Sequence, residues 1–167
     1  VQDMGQDTLR NIMEGSIHSL QYTMDTLSEE MFERAAQLLS GAERVFIVGS
    51  RSSYGLAYFF AFVLNWIRNG VQAIDGSLTA TDYLSGLNEN DLVVAISLPR
   101  YPRSTVMTLE EAHKRGAHTI AITDTISSPL IPFAEIPLLV HTTLLAYSDN
   151  VVPVMGVITA LLSAAGK

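Results

Sequence analysis

Cysteine is absent from this 167-residue sequence, which excludes disulfides, thiolate metal sites and a cysteine nucleophile. Charge is also scarce, because charged residues make up 16% of the chain and hydrophobic residues 48%. A surface with so little charge suggests that another subunit covers part of it. The absence of cysteine fits a reducing cytoplasm, where we expect the protein to reside.

Positive charge is in particularly short supply. Ten Lys and Arg residues face 17 Asp and Glu residues, a net charge of −7, and no basic cluster extends beyond Lys114-Arg115. We therefore expect no direct binding of nucleic acid by this chain.

Long apolar runs are missing too. The stretches 54–67 and 151–165 are interrupted by Asn65 and Pro153 and fall short of the roughly 20 residues of a spanning helix, so we expect no membrane partner. No secretory signal is visible. Because the chain begins at Val1, we expect it to be a piece of a longer protein.

Hydrophobic periodicity predicts an α/β domain behind an N-terminal helical segment. Apolar residues at helical spacing over 8–39 indicate one long helix or two joined near 26–28, with Ser28 as an N-cap and Gly41 at the end. We divide the chain into a helical segment, 1–40, and a domain, 41–167. The domain should have three αβα layers around a five-stranded parallel sheet. Predicted strands are 45–48, 71–74, 92–96, 118–122 and 136–140; predicted helices are 54–68, 79–84, 105–115 and 151–164, with a short helical turn from Pro129.

The turn after the first predicted strand is rich in hydroxyl groups. It carries Ser50, Arg51, Ser52 and Ser53, at the strand end where open α/β folds bind ligands. Backbone N–H groups at a helix start, with hydroxyls and an arginine beside them, suit a phosphate. The simpler alternative is that Ser52 and Ser53 cap a helix beginning at Tyr54. A nucleotide-binding domain is a weaker alternative, because this turn lacks the glycines of a dinucleotide loop.

Two further turns follow later strands in the same way. The second turn supplies Ser97, Arg100, Arg103, Ser104 and Thr105. Pro99 and Pro102 stiffen this turn, which lowers the entropy cost of presenting its polar groups. The simpler alternative is that Ser104 or Thr105 caps the next helix. The third turn offers Thr123, Ser127 and Ser128, of which Ser128-Pro129 is also a good helix start. Together the three turns predict a site for a small anionic ligand.

Other polar residues carry less information. His18, His113, His118 and His141 have no metal-ligand spacing, and the pair Glu110-Glu111 is most simply a solvated helix face. We therefore predict no metal, no cofactor and no catalytic residue.

The three turns, in this order, resemble those of the sugar isomerase (SIS) domain, a phosphosugar-binding module. Within that family the chain most resembles the ligand-binding domain of RpiR-type bacterial transcriptional regulators, over about 42–165. The resemblance implies a five-stranded parallel sheet, a dimer or tetramer, and ligand serines at Ser53 and Ser97. The segments that carry it are Gly49-Ser50-Arg51-Ser52-Ser53, 95–105 and 120–130.

The second turn departs from the commoner pattern of the family. In that pattern a first serine, matched here by Ser97, is followed one residue later by Ser-Gly-x-Thr. In this chain Pro99, Arg100 and Pro102 replace the Ser, the Gly and the Thr. Two phosphate-binding hydroxyls are therefore missing, and we expect Arg100 to substitute for them. This departure favours the regulators over the isomerases.

The resemblance implies a sensor domain. It would bind a phosphorylated sugar or sugar acid without turning it over, and it would act on DNA through a separate helix-turn-helix domain that is absent here. The alternative is a phosphosugar isomerase of the same family. We also expect a homodimer or larger assembly, with an apolar stripe of the first helix at the subunit interface: Leu9, Ile12, Met13, Ile17 and Leu20.

Overall fold

A parallel sheet of five strands forms the centre of the computed structural model, which describes residues 2–76, 80–145 and 147–167. The strands lie in the order β2-β1-β3-β4-β5, and every neighbouring pair is parallel. The predicted five-stranded parallel sheet is thus confirmed. The strands are β1 (Val45–Gly49), β2 (Val71–Asp75), β3 (Leu92–Ile96), β4 (His118–Thr123) and β5 (Ile136–Leu139).

Helices precede the sheet and connect its strands. The N-terminal region forms two helices rather than one, and Ser28 caps the second by accepting a hydrogen bond from the N–H of Met31 at 3.3 Å. Thr79, the first residue of the predicted helix 79–84, lies outside the described residues. The helices are α1 (Gln2–Thr26), α2 (Glu29–Gly41), α3 (Ser52–Ile67), α4 (Ala80–Tyr83), α5 (Arg103–Lys114) and α6 (Val152–Ala165), with a 3₁₀ turn at Ile131–Phe133.

Helices cover both faces of the sheet, which confirms the three-layer prediction. All five residues of β1 and of β3 are buried, as expected for continuous Val/Ile/Leu runs between two helical layers. Residues of α2, α3 and α6 pack in one core cluster with Ile47 and Val94. On the other face of the sheet, Leu109 and Ala112 of α5 pack in a second core cluster with the alternate residues of the strands, such as Val48.

Helix α1 has a polar buried face. Ser16, Ser19 and Thr23 are buried, and each hydrogen-bonds to the segment between β5 and α6. The amide of Asn150 donates to Ser16 Oγ at 2.8 Å, and the backbone N–H of His141 donates to Thr23 Oγ1 at 3.0 Å. Residues of the apolar stripe predicted for a subunit interface are between 37% (Ile12) and 65% (Ile17) exposed.

No helix in the described ranges is long and apolar enough to cross a membrane.

Candidate functional site at the carboxyl edge of the sheet

The three hydroxyl-rich turns follow three adjacent strands. They come after β1, β3 and β4, which are neighbours in the sheet, so their strand ends share one edge. From β1 the chain crosses to β2 on one side and afterwards to β3 on the other. The first two turns therefore flank the topological switch point, where open α/β sheets have their ligand crevice.

Ser50 joins the first turn to the second. Its Oγ is buried and hydrogen-bonds to Thr105 Oγ1 at 2.9 Å and to Ser104 Oγ at 3.3 Å. Gly76, after β2, lies against the same hydroxyl, and an added Cβ would collide with Ser50 Oγ. The sheet thus holds these hydroxyls together across 55 residues of sequence.

The first turn is not an ordinary helix cap. Helix α3 begins at Ser52, two residues before the predicted Tyr54, and its N-cap is Arg51, which makes no side-chain capping bond. The backbone of Arg51 has a φ of 56°, uncommon for a residue other than glycine. Capping by Ser52 or Ser53 was therefore the wrong alternative. Ser52 and Arg51 are exposed, whereas Ser53 is buried.

The second turn buries one hydroxyl and exposes one arginine. Ser97 is 1% exposed, and its Oγ has no hydrogen-bond partner within the described part of the chain. The chain then reverses at Pro99-Arg100, where the N–H of Tyr101 donates to the carbonyl of Leu98 at 3.0 Å. Arg100 has a φ of 74° and is exposed.

This reversal has the character of a type II turn. Proline stands at its second position, and the third position requires the positive φ that glycine adopts most easily. Helix α5 begins at Arg103 with Pro102 as its N-cap and no side-chain capping bond, so the capping alternative for Ser104 and Thr105 was also wrong.

The third turn is largely occupied by its own hydrogen bonds. Thr123 Oγ1 donates to Ser128 Oγ at 2.8 Å, and both side chains are buried. Ser128 Oγ also accepts from the N–H of Leu130 at 3.4 Å. The 3₁₀ turn begins at Ile131 with Leu130 as its N-cap and no side-chain capping bond, so the prediction of a helical start at Ser128-Pro129 was wrong. Ser127 is exposed, and its N–H donates to Thr125 Oγ1 at 3.3 Å.

A tyrosine ties the second turn to the third. The Tyr101 hydroxyl donates to Asp124 Oδ1 at 2.6 Å. Burial raises the pKa of Tyr101 well above its usual value, and the hydrogen bond to the Asp124 carboxylate and its negative charge raise it further. The phenol therefore stays protonated and remains a donor at physiological pH. We did not single out this pair from the sequence, although both residues lie in the turns that drew attention.

The site residues predicted from the sequence thus fall into two groups. Arg51, Ser52, Arg100 and Ser127 are exposed at the sheet edge, whereas Ser50, Ser53, Ser97, Thr123 and Ser128 are buried beneath it. The described residues contain no group of three His, Asp or Glu side chains that could hold a metal ion. The exposed arginines of the first two turns are groups suited to an anion.

The fold and the sequence identify the family. The model of the SIS domain matches residues 38–164, and the chain belongs to this family. The resemblance stated from the three turns is therefore confirmed.

Three relatives are informative. The chain is 29% identical to the sugar isomerase domain of an RpiR transcription factor from Sphaerobacter thermophilus, with a TM-score of 0.88 over 93% of this chain and 87% of that one. The Vibrio vulnificus NanR protein complexed with ManNAc-6P has the same fold at 18% identity, with a TM-score of 0.81 over 98% of this chain and 64% of that one. The glutamine–fructose-6-phosphate aminotransferase [isomerizing] of Pyrobaculum aerophilum is 30% identical over 112 residues. That match covers 67% of this chain and 18% of the enzyme.

Proposed function

We propose that this domain is the phosphosugar sensor of an RpiR-type transcriptional regulator. It binds a phosphorylated sugar or sugar acid at the carboxyl edge of the sheet, and binding changes how a separate helix-turn-helix domain engages DNA. Its similarity to the RpiR domain from Sphaerobacter thermophilus supports the regulator class, and the NanR complex supports the ligand class.

The buried Ser97 hydroxyl is the observation that carries the proposed site. A buried hydroxyl without a partner costs about 1–3 kcal/mol, so such groups are rare unless function requires them. Ser97 follows β3 beside the switch point, where a ligand oxygen could complete its hydrogen bonding. Arg100, two residues beyond Leu98, would supply the positive charge for a phosphate.

Isomerisation is the second candidate, because the Pyrobaculum relative is named as isomerizing. An aldose–ketose isomerase needs a base placed over the sugar carbons. At this edge, the Asp124 carboxylate accepts a hydrogen bond from Tyr101, and His141 Nδ1 lies 3.1 Å from Ser19 Oγ. A hydrogen bond at one atom orients such a group and leaves its other nitrogen or oxygen available, so an assay of turnover distinguishes the two candidates.

The decisive experiment begins with a thermal-shift screen of phosphorylated sugars, ManNAc-6P among them. Calorimetry then compares the best ligand with its unphosphorylated form. A charge-assisted hydrogen bond contributes about 1.5–3 kcal/mol, so Arg100→Ala should weaken the phosphorylated ligand by roughly 10- to 150-fold. The unphosphorylated sugar should lose little, because its binding never used that charge.

The matched control is Arg115→Ala, which removes the same charge at the opposite end of α5. It should leave both affinities unchanged. Equal losses for both ligands in Arg100→Ala would mean that the arginine shapes the turn without holding the phosphate. A screen without any stabilising phosphosugar would contradict the sensor proposal, and turnover of a ligand would move the assignment to isomerase.

A further inference from the structure

Two arginines at the carboxyl edge share an unusual backbone conformation. Arg51 follows β1 and has a φ of 56°, and Arg100 follows β3 and has a φ of 74°. Within the described residues, no other residue except glycine has a positive φ. Such conformations are costly for a residue with a side chain and cluster at functional sites. Because β1 and β3 are neighbouring strands about 4.8 Å apart, both arginines belong to one stretch of the edge.

The arginines at this edge also differ from the others in their side-chain partners. Arg51, Arg100 and Arg103 are exposed, and none of them has an ion pair or a side-chain hydrogen bond within the described part of the chain. The remaining arginines all have a carboxylate or backbone carbonyl partner: Arg10, Arg34, Arg44, Arg68 and Arg115. Three positive charges without a partner are therefore concentrated in the first two turns.

Two of these charges stand at helix starts, where a cation is unfavourable. Arg51 is the N-cap of α3, and Arg103 is the first residue of α5. Neither helix has an acidic residue in its first turn, whereas α2 begins with Glu29 and Glu30. Because a helix start carries a partial positive charge, it favours anions and disfavours cations. The arginines and the helix starts thus add to one positive field.

The carboxylates of the same edge leave this field unbalanced. Asp124 lies in the third turn, where Oδ1 accepts the hydrogen bond from the Tyr101 hydroxyl at 2.6 Å. Asp75 ends β2, and Asp149 lies between β5 and α6. Over the ranges that the structure describes, none of these carboxylates forms an ion pair with an arginine. An anionic ligand is the partner that the first two turns lack.

A single phosphate is too small a charge for this site. A phosphate monoester carries about −1.5 to −2 at pH 7, because its second pKa is about 6. The unpaired arginines Arg51, Arg100 and Arg103 together carry about three positive charges. A second anionic group, either a carboxylate or another phosphate, brings the ligand to about −2.5 to −4. Charge complementarity of this kind determines which ligands a site accepts.

We propose that the ligand carries a second anionic group besides its phosphate, and that Arg51 recognises this group while Arg100 holds the phosphate. The two turns flank the switch point, so a sugar lying in the crevice presents one group to each turn. The ligand class is then a phosphorylated sugar acid or a sugar bisphosphate. A sugar monophosphate without a second anionic group is a weak ligand. The inference rests on the proposed function and narrows its ligand class.

Calorimetry with matched sugars tests the second group. The thermal-shift screen includes fructose 6-phosphate with fructose 1,6-bisphosphate, and glucose 6-phosphate with 6-phosphogluconate. The best ligand of the screen should carry two anionic groups and bind at least about 10-fold tighter than its counterpart with the phosphate alone. A preferred bisphosphate identifies the second group as a phosphate, and a preferred sugar acid identifies it as a carboxylate.

Variants of the two arginines assign the groups. Arg51→Ala should weaken the doubly anionic ligand by roughly 10- to 150-fold and change the affinity of its monophosphate counterpart by less than about two-fold. Arg100→Ala should weaken both ligands by roughly 10- to 150-fold. Arg51→Lys keeps the charge and should recover part of the lost affinity, which separates the charge from the backbone conformation.

The matched control is Arg115→Ala, which removes the same charge at the far end of α5 and should leave both affinities unchanged. Circular dichroism verifies that each variant is folded.

Two results would overturn the inference. One is a best ligand whose phosphate is its only anionic group. The other is an equal loss of monophosphate affinity in Arg51→Ala and Arg100→Ala, which would mean that both arginines hold one phosphate. In either case a phosphosugar still binds, and the proposed function stands. A screen in which no phosphorylated sugar binds would instead remove the proposed function, and this inference with it.

Discussion

Arg100 occupies a backbone conformation that suits glycine. Its φ of 74° follows Pro99 in a tight reversal, at the position where the commoner family pattern has glycine. A left-handed conformation costs an L residue about 1–2 kcal/mol. The turn also carries the charge that we expect to hold a phosphate. Strained backbone conformations are often found at functional sites of this kind.

Arg100→Gly should therefore stabilise the protein while weakening phosphosugar binding. We expect the free energy of unfolding to rise by about 0.5–1 kcal/mol, since relief of strain exceeds the greater entropy of glycine in the unfolded chain. Urea denaturation measures this change. Arg100→Ala is the control, because alanine removes the charge but keeps the strain. If both variants unfolded at the same urea concentration, the turn would not be strained.

At the scale of the element, Gly49 lets β1 end directly beneath the start of α3. An added Cβ would lie 2.5 Å from the backbone oxygen of Ser53 and 2.7 Å from its carbonyl carbon. Backbone atoms cannot move aside as a flexible side chain can. The tight passage from β1 to α3 therefore requires glycine for space.

Two glycine substitutions six residues apart should have opposite effects on the stability of the protein. Gly49→Ala should lower the free energy of unfolding by roughly 2–3 kcal/mol, because it forces the strand end and the helix start apart. Gly55→Ala should raise it by about 0.5–1 kcal/mol, since Gly55 lies within α3 and an added Cβ meets nothing within 4 Å. Thermal and urea unfolding of both variants provides the comparison. A mild effect of Gly49→Ala would show that the β1–α3 junction can adjust.

The elements themselves were largely predictable from the sequence. Buried strands such as β3 appear as uninterrupted Val/Ile/Leu runs, because a parallel sheet covered on both faces needs apolar residues at every position. The start of α3 was missed by two residues, since Arg51 adopts a positive φ that its residue type does not indicate. Capping rules then assigned Ser52 and Ser53 a role that the backbone does not give them.

The place of the candidate site was predictable, but its internal contacts were not. Strand ends located the three turns, because parallel strands all end at the same edge. The bonds from Ser50 to Thr105 and from Tyr101 to Asp124 depend on strand order and register, which hydrophobic patterns do not specify. The same holds for the burial of Ser97 and for the lack of a partner for its Oγ among the described residues, which depend on how the chain packs around it.

At the scale of the whole molecule, an ion pair fixes the edge of the sheet opposite the three turns. Arg44 precedes β1 and Asp91 precedes β3; Arg44 Nε and Nη2 donate to the two Asp91 oxygens at 3.0 and 2.6 Å. Asp91 is buried, and burial alone would raise its pKa. The hydrogen bonds from Arg44 and from the N–H of Asn88 outweigh burial and hold the pKa below its ordinary value.

Acid should remove this stabilisation. A carboxyl with a lowered pKa in the folded state stabilises the protein above its unfolded pKa, and the contribution is lost as pH falls through the folded pKa. We expect Asp91→Asn to cost about 1–2 kcal/mol at pH 7, a value reduced by the partial exposure of Arg44. The difference from wild type should shrink as the pH falls below about 4.

Urea denaturation between pH 2.5 and 7 measures this dependence. Glu111→Gln is the matched control, since Glu111 pairs with Arg115 on the exposed side of α5 and should cost about 0.5 kcal/mol or less. A constant difference between Asp91→Asn and wild type over the whole range would contradict the assignment.

The covered Ser97 hydroxyl has a kinetic consequence. A ligand can reach that buried oxygen only after the atoms that cover it move, so capture there would follow a local opening of the protein. Association would then be limited by the opening rate at high ligand concentration, and the observed rate would level off in stopped-flow mixing instead of rising without limit. The residence time of the ligand would likewise depend on the rate at which this covered site reopens.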